Sequence, residues 1–217
     1  MNQKEEEEEG GEAIKVILLG ESGSGKTSLI NAAIGNKFVE NSKNTTTMNC
    51  SFVKLTKVIE DKEYNINLWD TIGQENRSLT KVFYKNSDIV IFVFDITNKE
   101  SFDDLNYWFN TVEDELGNKA IKGLAANKID LYDKQEVDDD TIINYANKKG
   151  IKFQYTTATN PANFSKLLEE LLIEYLKTGI SENRKKIVGK KLKKRKKLKK
   201  RVVVKLILII YILFYYL

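Results

Sequence analysis

Short apolar runs alternate with segments of helical period along the chain. Residues 13–19 form a mostly apolar run of buried-strand length that stops at a glycine-rich stretch. Leu29, Ile30, Ala33 and Ile34 then predict a first helix over residues 28–35. Residues 36–49 carry no sustained apolar period and are rich in Asn, Ser and Thr, so they read as a surface loop long enough to have a function of its own. Residues 50–60 and 64–70 read as the two strands of a hairpin turning at Asp61, Lys62 and Glu63. Residues 89–94 are continuously aliphatic or aromatic, as in a strand covered on both faces. Phe102, Leu105, Trp108, Phe109, Val112 and Leu116 recur at helical spacing up to a stop at Gly117. Residues 121–126 predict another strand, 138–149 a helix carrying Ile142, Ile143 and Ala146, and 151–155 a last strand. Phe164, Leu167, Leu168, Leu171, Leu172, Tyr175 and Leu176 mark an amphipathic final helix. Strands alternating with helices, apart from the early hairpin, predict an α/β sheet with helices on both faces.

The turn between the first strand and helix, Gly20-Glu21-Ser22-Gly23-Ser24-Gly25-Lys26-Thr27, fits the phosphate-cradling pattern G-x-x-x-x-G-K-S/T. Glycines let the backbone wrap a phosphate with N–H groups, and the helix N-terminus that follows favours negative charge. Ser22, Gly23, Ser24, Gly25 and Ser28 belong to this cradle, Lys26 reaches the β- and γ-phosphates, and Thr27 offers a hydroxyl to Mg²⁺. Three further motifs fall at the carboxyl ends of predicted strands, where open α/β sheets bind ligands. Asp70 is placed to hold Mg²⁺ through water, the Gly73 N–H to sense a γ-phosphate, and Gln74 to orient an attacking water. Asn127-Lys128-Ile129-Asp130 supplies base specificity, because a carboxylate at Asp130 accepts from the N1–H and 2-amino group of guanine and adenine offers neither. Thr157 and Ala158, after Thr156, can give a backbone N–H to guanine O6. A polar turn mimics any one of these short motifs; their order, each after a predicted strand, is what is specific.

Composition narrows the picture. One cysteine, Cys50, excludes an internal disulfide framework, and the absence of histidine excludes histidine acid–base chemistry and His-ligated metals. The net charge of +4 hides an asymmetry: fourteen of the thirty-five Lys/Arg but one of the thirty-one acids lie from Glu182 onward. The body is therefore at −9 and the tail at +13, so the tail is suited to an acidic partner.

Residues 20–28, 69–75, 78–80, 94–98 and 127–131 together resemble the Ras superfamily of small GTPases and, within it, the Rab family, over residues 13–177. The resemblance implies the P-loop fold: a mainly parallel six-stranded sheet with one antiparallel edge strand and helices on both faces. It implies GTP and GDP as ligands, Mg²⁺ as cofactor, GTP hydrolysis assisted by Gln74 and Lys26, and a G domain that is monomeric. It also implies a nucleotide exchange factor, a GTPase-activating protein and effectors as partners. Phe38, twelve residues after Lys26, matches the family position that packs edge-on against guanine. For the switch threonine that binds Mg²⁺ and the γ-phosphate, Thr45, Thr46 and Thr47 compete. Counting back from Phe52 and Asp70 selects Thr47, whereas counting forward from Phe38 gives Thr45; Thr47 is preferred. The chain departs from the family at Asn49, Ile72, Asn76, Arg77, Tyr155 and Thr159, and its C-terminus has no cysteine to prenylate.

The expected organisation is an acidic disordered leader (1–12), the GTPase domain (13–178), a basic linker (179–201) and a hydrophobic membrane-anchor candidate (202–217). Thirteen of the eighteen residues 184–201 are Lys or Arg, and the segment that follows is apolar apart from Lys205 and tyrosine hydroxyls. Basic residues attract anionic lipid and the apolar segment can enter the bilayer, either spanning a thin membrane or inserting shallowly. This predicts a vesicle-trafficking switch on the cytoplasmic side of an intracellular membrane. The rival reading gives the basic run to nucleic acid or nuclear targeting; the apolar end, which nucleic acid would not bury, counts against it.

Overall fold

A computed structural model describes residues 13–36, 51–71 and 83–180. β1 (Ile14–Leu19) is apolar enough to be covered on both faces, and its residues from Val16 onward are fully buried. α1 (Lys26–Ala33) follows the glycine-rich loop, starting two residues earlier than expected. It turns Leu29, Ile30 and Ala32 inward, while Ile34 lies past its end and is exposed.

β2 (Ser51–Ile59) and β3 (Lys62–Asp70) pair antiparallel with Ile59 opposite Lys62. The hairpin therefore turns at Glu60 and Asp61 rather than at residues 61–63, and both turn residues have positive φ (49° and 60°). A two-residue turn of this hand matches the twist of the paired strands, so strand pairing wins over the polarity of Lys62 and Glu63.

β4 (Ile89–Asp95) is buried at every position. The single helix expected through residues 102–116 is two: α2 (Lys99–Asp103) and α3 (Leu105–Leu116), meeting at Asp104. Asn98 caps α2 by accepting the Ser101 N–H at 3.0 Å. β5 (Ile121–Asn127), α4 (Asp139–Lys149), β6 (Lys152–Thr156) and α5 (Ala162–Lys177) complete the domain. α4 begins at an Asp138 cap and buries Ile142 and Ala146, but Ile143 is exposed.

The strand order is β2-β3-β1-β4-β5-β6, with only β2 antiparallel to its neighbour. The sheet has the predicted six strands and the predicted antiparallel edge. Successive strand residues face opposite sides. Ile17, Leu19, Phe92 and Phe94 share one core with Phe102, Trp108, Val112, Ile142 and Ala146 of α2, α3 and α4. α5 covers the other face, with Leu171 against Gly123 of β5. At the start of β4, Asp88 accepts the Lys15 N–H and the Tyr175 hydroxyl, both at 2.8 Å, joining β1 and β4 to the last turns of α5. Among the described residues no helix is long and apolar enough to cross a membrane.

Two consequences of this topology position the site. The chain moves from β1 outward to β3 on one side and to β4 on the other, so the loop after β1 sits at the point where strand order reverses. Register then sets Asp95, Asn127 and Thr156 side by side at the ends of three neighbouring strands.

Candidate functional site

The loop after β1 is shaped by close approach. Gly20 (φ 153°) lies against the neighbouring strand, where a Cβ would run into the Val93 carbonyl oxygen. Gly25 (φ 94°) caps α1, and a Cβ there would collide with the Asn127 amide. Within the loop, the Lys26 ammonium donates to the carbonyls of Gly20 and Glu21 at 2.8 Å each. Its burial lowers the Lys26 pKa to about 8, against the opposing pull of Asp70 and Glu21. The Ser24 hydroxyl is buried with no hydrogen-bond partner among the described residues. A buried cation, an unsatisfied hydroxyl and a helix N-terminus in one loop suit a phosphate.

Beside it, at the end of β3, Asp70 Oδ2 accepts the Thr27 hydroxyl at 2.7 Å. Burial raises the Asp70 pKa, while the Thr27 hydrogen bond, the Lys26 charge and the Thr71 N–H pull it down. Thr71 in turn donates to the Leu18 carbonyl at 2.6 Å, tying this strand end to β1. Two oxygen ligands of opposite hydrogen-bonding sense, in contact next to a phosphate cradle, are the donor set a hard divalent cation takes.

The third group lies at the end of β5. The Asn127 amide donates to the Ser24 carbonyl at 2.7 Å and its Oδ1 accepts the Thr156 hydroxyl at 3.2 Å, all three residues being buried. Asn127 is thus a clamp between the phosphate loop and the end of β6. Lys128 has left-handed backbone (φ 67°) and sends its ammonium to Asp95 Oδ2 at 2.5 Å. Asp130 stands in the 3₁₀ turn Ile129–Lys134 with its carboxylate exposed. Thr157 and Ala158 are half-buried just past β6, where the Thr157 hydroxyl contacts that of Thr159 at 2.9 Å.

Of the residues singled out from sequence, contacts link Ser24, Lys26, Thr27, Asp70 and Asn127 at the carboxyl ends of the central strands. Ser22 and Gly23 form the exposed rim of the loop and Ser28 is half-buried in α1. Phe38, Thr47, Gly73 and Gln74 lie outside the described residues, as do the rival threonines Thr45 and Thr46. Sequence reading missed two contributors. Glu21, at a variable position of the motif, is buried and offers its carbonyl to Lys26. Asp95, inside the matched stretch 94–98, has no role from sequence alone, although an acid ending a wholly apolar strand is signal enough.

Residues 15–177 match the Ras family. "Ras-related protein Rab-21" of Homo sapiens is 34% identical over 175 residues, covering 80% of this chain and 77% of that protein. "Ras-related protein Rab-21" of Geodia cydonium is 36% identical over 170 residues, covering 78% and 72%. "Ras-related protein RABF2b" of Arabidopsis thaliana is 32% identical over 158 residues, covering 72% and 78%.

Proposed function

The chain belongs to the Ras superfamily of small GTPases, close to the Rab proteins, and from that premise we propose that it binds GTP and GDP, hydrolyses GTP and serves as a membrane-associated trafficking switch. The observation that supports this reading is the convergence of Lys26, the Thr27–Asp70 pair and the Asn127 clamp at the carboxyl ends of the central strands. The backbone of residues 22–28 and the Lys26 ammonium bind the phosphates. Thr27, Thr47 and Asp70 would hold Mg²⁺, which when bound would supply charge neutralisation for the phosphates. Phe38 packs on the base, Asp130 accepts its N1–H and 2-amino protons, and Thr157 and Ala158 meet its O6. Gln74 aligns water for in-line attack, with the Gly73 N–H at the γ-phosphate, and no covalent intermediate forms. Catalysis is then positioning and electrostatics, and an activating partner that adds an arginine speeds it by roughly 10³ to 10⁵. An exchange factor resets the GDP form, and effectors read the GTP form.

Single-turnover hydrolysis by Gln74→Leu tests the chemistry. The variant is expected to bind GTP as the parent does and to hydrolyse it up to about 10²-fold more slowly, because the water is no longer positioned. Unchanged turnover would remove Gln74 from the mechanism, and a parent chain that binds no guanine nucleotide would overturn the reading.

A further inference from the structure

Asp95 is an acid closing an otherwise apolar strand, and its two oxygens are used differently. Oδ1 accepts the Thr97 N–H at 2.9 Å and the Thr97 hydroxyl at 2.7 Å, which fixes the carboxylate plane. Oδ2 takes the Lys128 ammonium at 2.5 Å. The backbone around Asp95 is held as firmly: Ser101 Oγ accepts its N–H at 3.0 Å, and the next residue, Ile96, donates to the Asn127 carbonyl at 3.0 Å. Asp95 also faces Asn127 in the strand register. The side chain of Lys128 is therefore stretched from the base-recognition loop to a rigid strand end. On the way its Cε comes within 4.0 Å of where a Cβ on Gly25 would stand, against the phosphate loop. The side chains of Asp95 and Lys128 are 10% and 32% exposed, so water screens the pair only in part.

Lys128 and Asp130 are two residues apart on one tight turn, and the Asp130 carboxylate has no hydrogen bond or ion pair among the described residues. An ammonium released from Asp95 has that exposed carboxylate as its nearest competitor in sequence. We infer that Asp95 is a positioning residue for base discrimination: by holding the Lys128 ammonium it fixes the loop of residues 127–130 and leaves the Asp130 carboxylate to the N1–H and 2-amino group of guanine. The inference rests on the guanine-nucleotide reading above and adds to it a residue that touches no part of the ligand.

The test compares dissociation of fluorescent methylanthraniloyl-GDP and of its inosine counterpart, which lacks the 2-amino group, from the full-length protein. Asp95→Asn keeps the shape and an acceptor for Thr97 but removes the charge. It is expected to release GDP about tenfold faster, the size of one lost charge-assisted hydrogen bond, and to narrow the preference for GDP over inosine diphosphate. Adding Lys128→Met to that variant removes the competitor for Asp130. The preference should return while release stays fast, a reversal that a loosened fold would not produce. Asp95→Glu, which keeps the charge, should retain the preference. Equal losses for both nucleotides in Asp95→Asn, or a preference that Lys128→Met does not restore, would overturn the role. Should Asp95→Asn lose its native circular dichroism, Lys128→Met alone decides, since clamp and competitor then vanish together: it must loosen both nucleotides by the same factor, and a changed preference overturns the inference. A parent chain that binds GDP and inosine diphosphate equally refutes the assignment of Asp130 itself, whereas discrimination in the parent that Asp95→Asn leaves intact refutes only Asp95.

Discussion

Lys26 is buried inside its own loop, and that position makes the nucleotide-free protein sensitive to alkaline pH. Its pKa is about 8 in the fold against 10.5 in an unfolded chain. Below pH 8 both states carry the charge and the fold bears the full cost of burying it. Between 8 and 10.5 the unfolded chain holds more protons, so stability rises with pH through that window. Urea midpoints of the nucleotide-free protein, each compared with Lys26→Met at the same pH, should converge between pH 7.5 and 10 as this cost, at most about 3 kcal/mol, disappears. A gap that stays constant would show that Lys26 is not titrating there. Phosphate reverses the situation, because an anion against the ammonium restores its basicity. GDP binding should then take up a proton near pH 9 and weaken as pH rises, and calorimetric heats that do not vary with buffer ionisation would contradict it. The sequence singled out Lys26, Thr27, Asp70 and Asn127 because each stands in a motif whose pattern answers the chemistry proposed for it, that of a phosphate, a metal or a base. It did not reveal that Asn127 reaches Ser24 or that Lys128 reaches Asp95. Those contacts depend on which strands are neighbours, and a motif read along the chain carries no information across it.

Strands and helices were legible wherever packing decides the period, as in β4 and α5, and their ends were not. Glu60, Asp61, Lys62 and Glu63 form one unbroken charged run in which any position looks like a turn, and Glu60 and Asp61 carry none of the glycine or asparagine that announces a left-handed pair. Replacing Glu60-Asp61 by Asn-Gly should relieve the positive φ at both positions and raise stability by about 1 kcal/mol, read as a higher urea midpoint with unchanged slope. No gain would mean that the turn is already relaxed in other ways. The interface of β5 with α5 has the opposite character. A Cβ on Gly123 would sit 2.6 Å from Leu171 Cδ1, and Leu171 is fully buried, so its side chain must shift within the packed core. Gly123→Ala should cost about 1–3 kcal/mol through overpacking, and the double change Gly123→Ala with Leu171→Val should recover part of it. Additive losses would place the strain elsewhere.

For the whole molecule, charge separates what the fold joins. The body is acidic, and residues 179–201 and 202–217, all but the first two of which lie outside the described residues, are basic and then apolar. If they are the linker and anchor proposed, full-length protein floats with anionic liposomes even at high salt while a chain stopped at Ser181 stays behind. Flotation only at low salt would leave an electrostatic attachment, and none at all would give the basic run to nucleic acid. The architecture adds a condition on any such attachment. The loops after β1, β3, β5 and β6 leave the carboxyl ends of strands, whereas α5 runs back along the sheet until Tyr175 meets Asp88 at the start of β4. β4 separates that start from Asp95 by a strand of about 20 Å. α5 therefore ends on the side of the domain opposite the carboxyl ends of the parallel strands. Whatever grips the end of α5 therefore meets the domain a strand's length from the loops after β1, β3, β5 and β6, and the two do not compete for one surface of the domain.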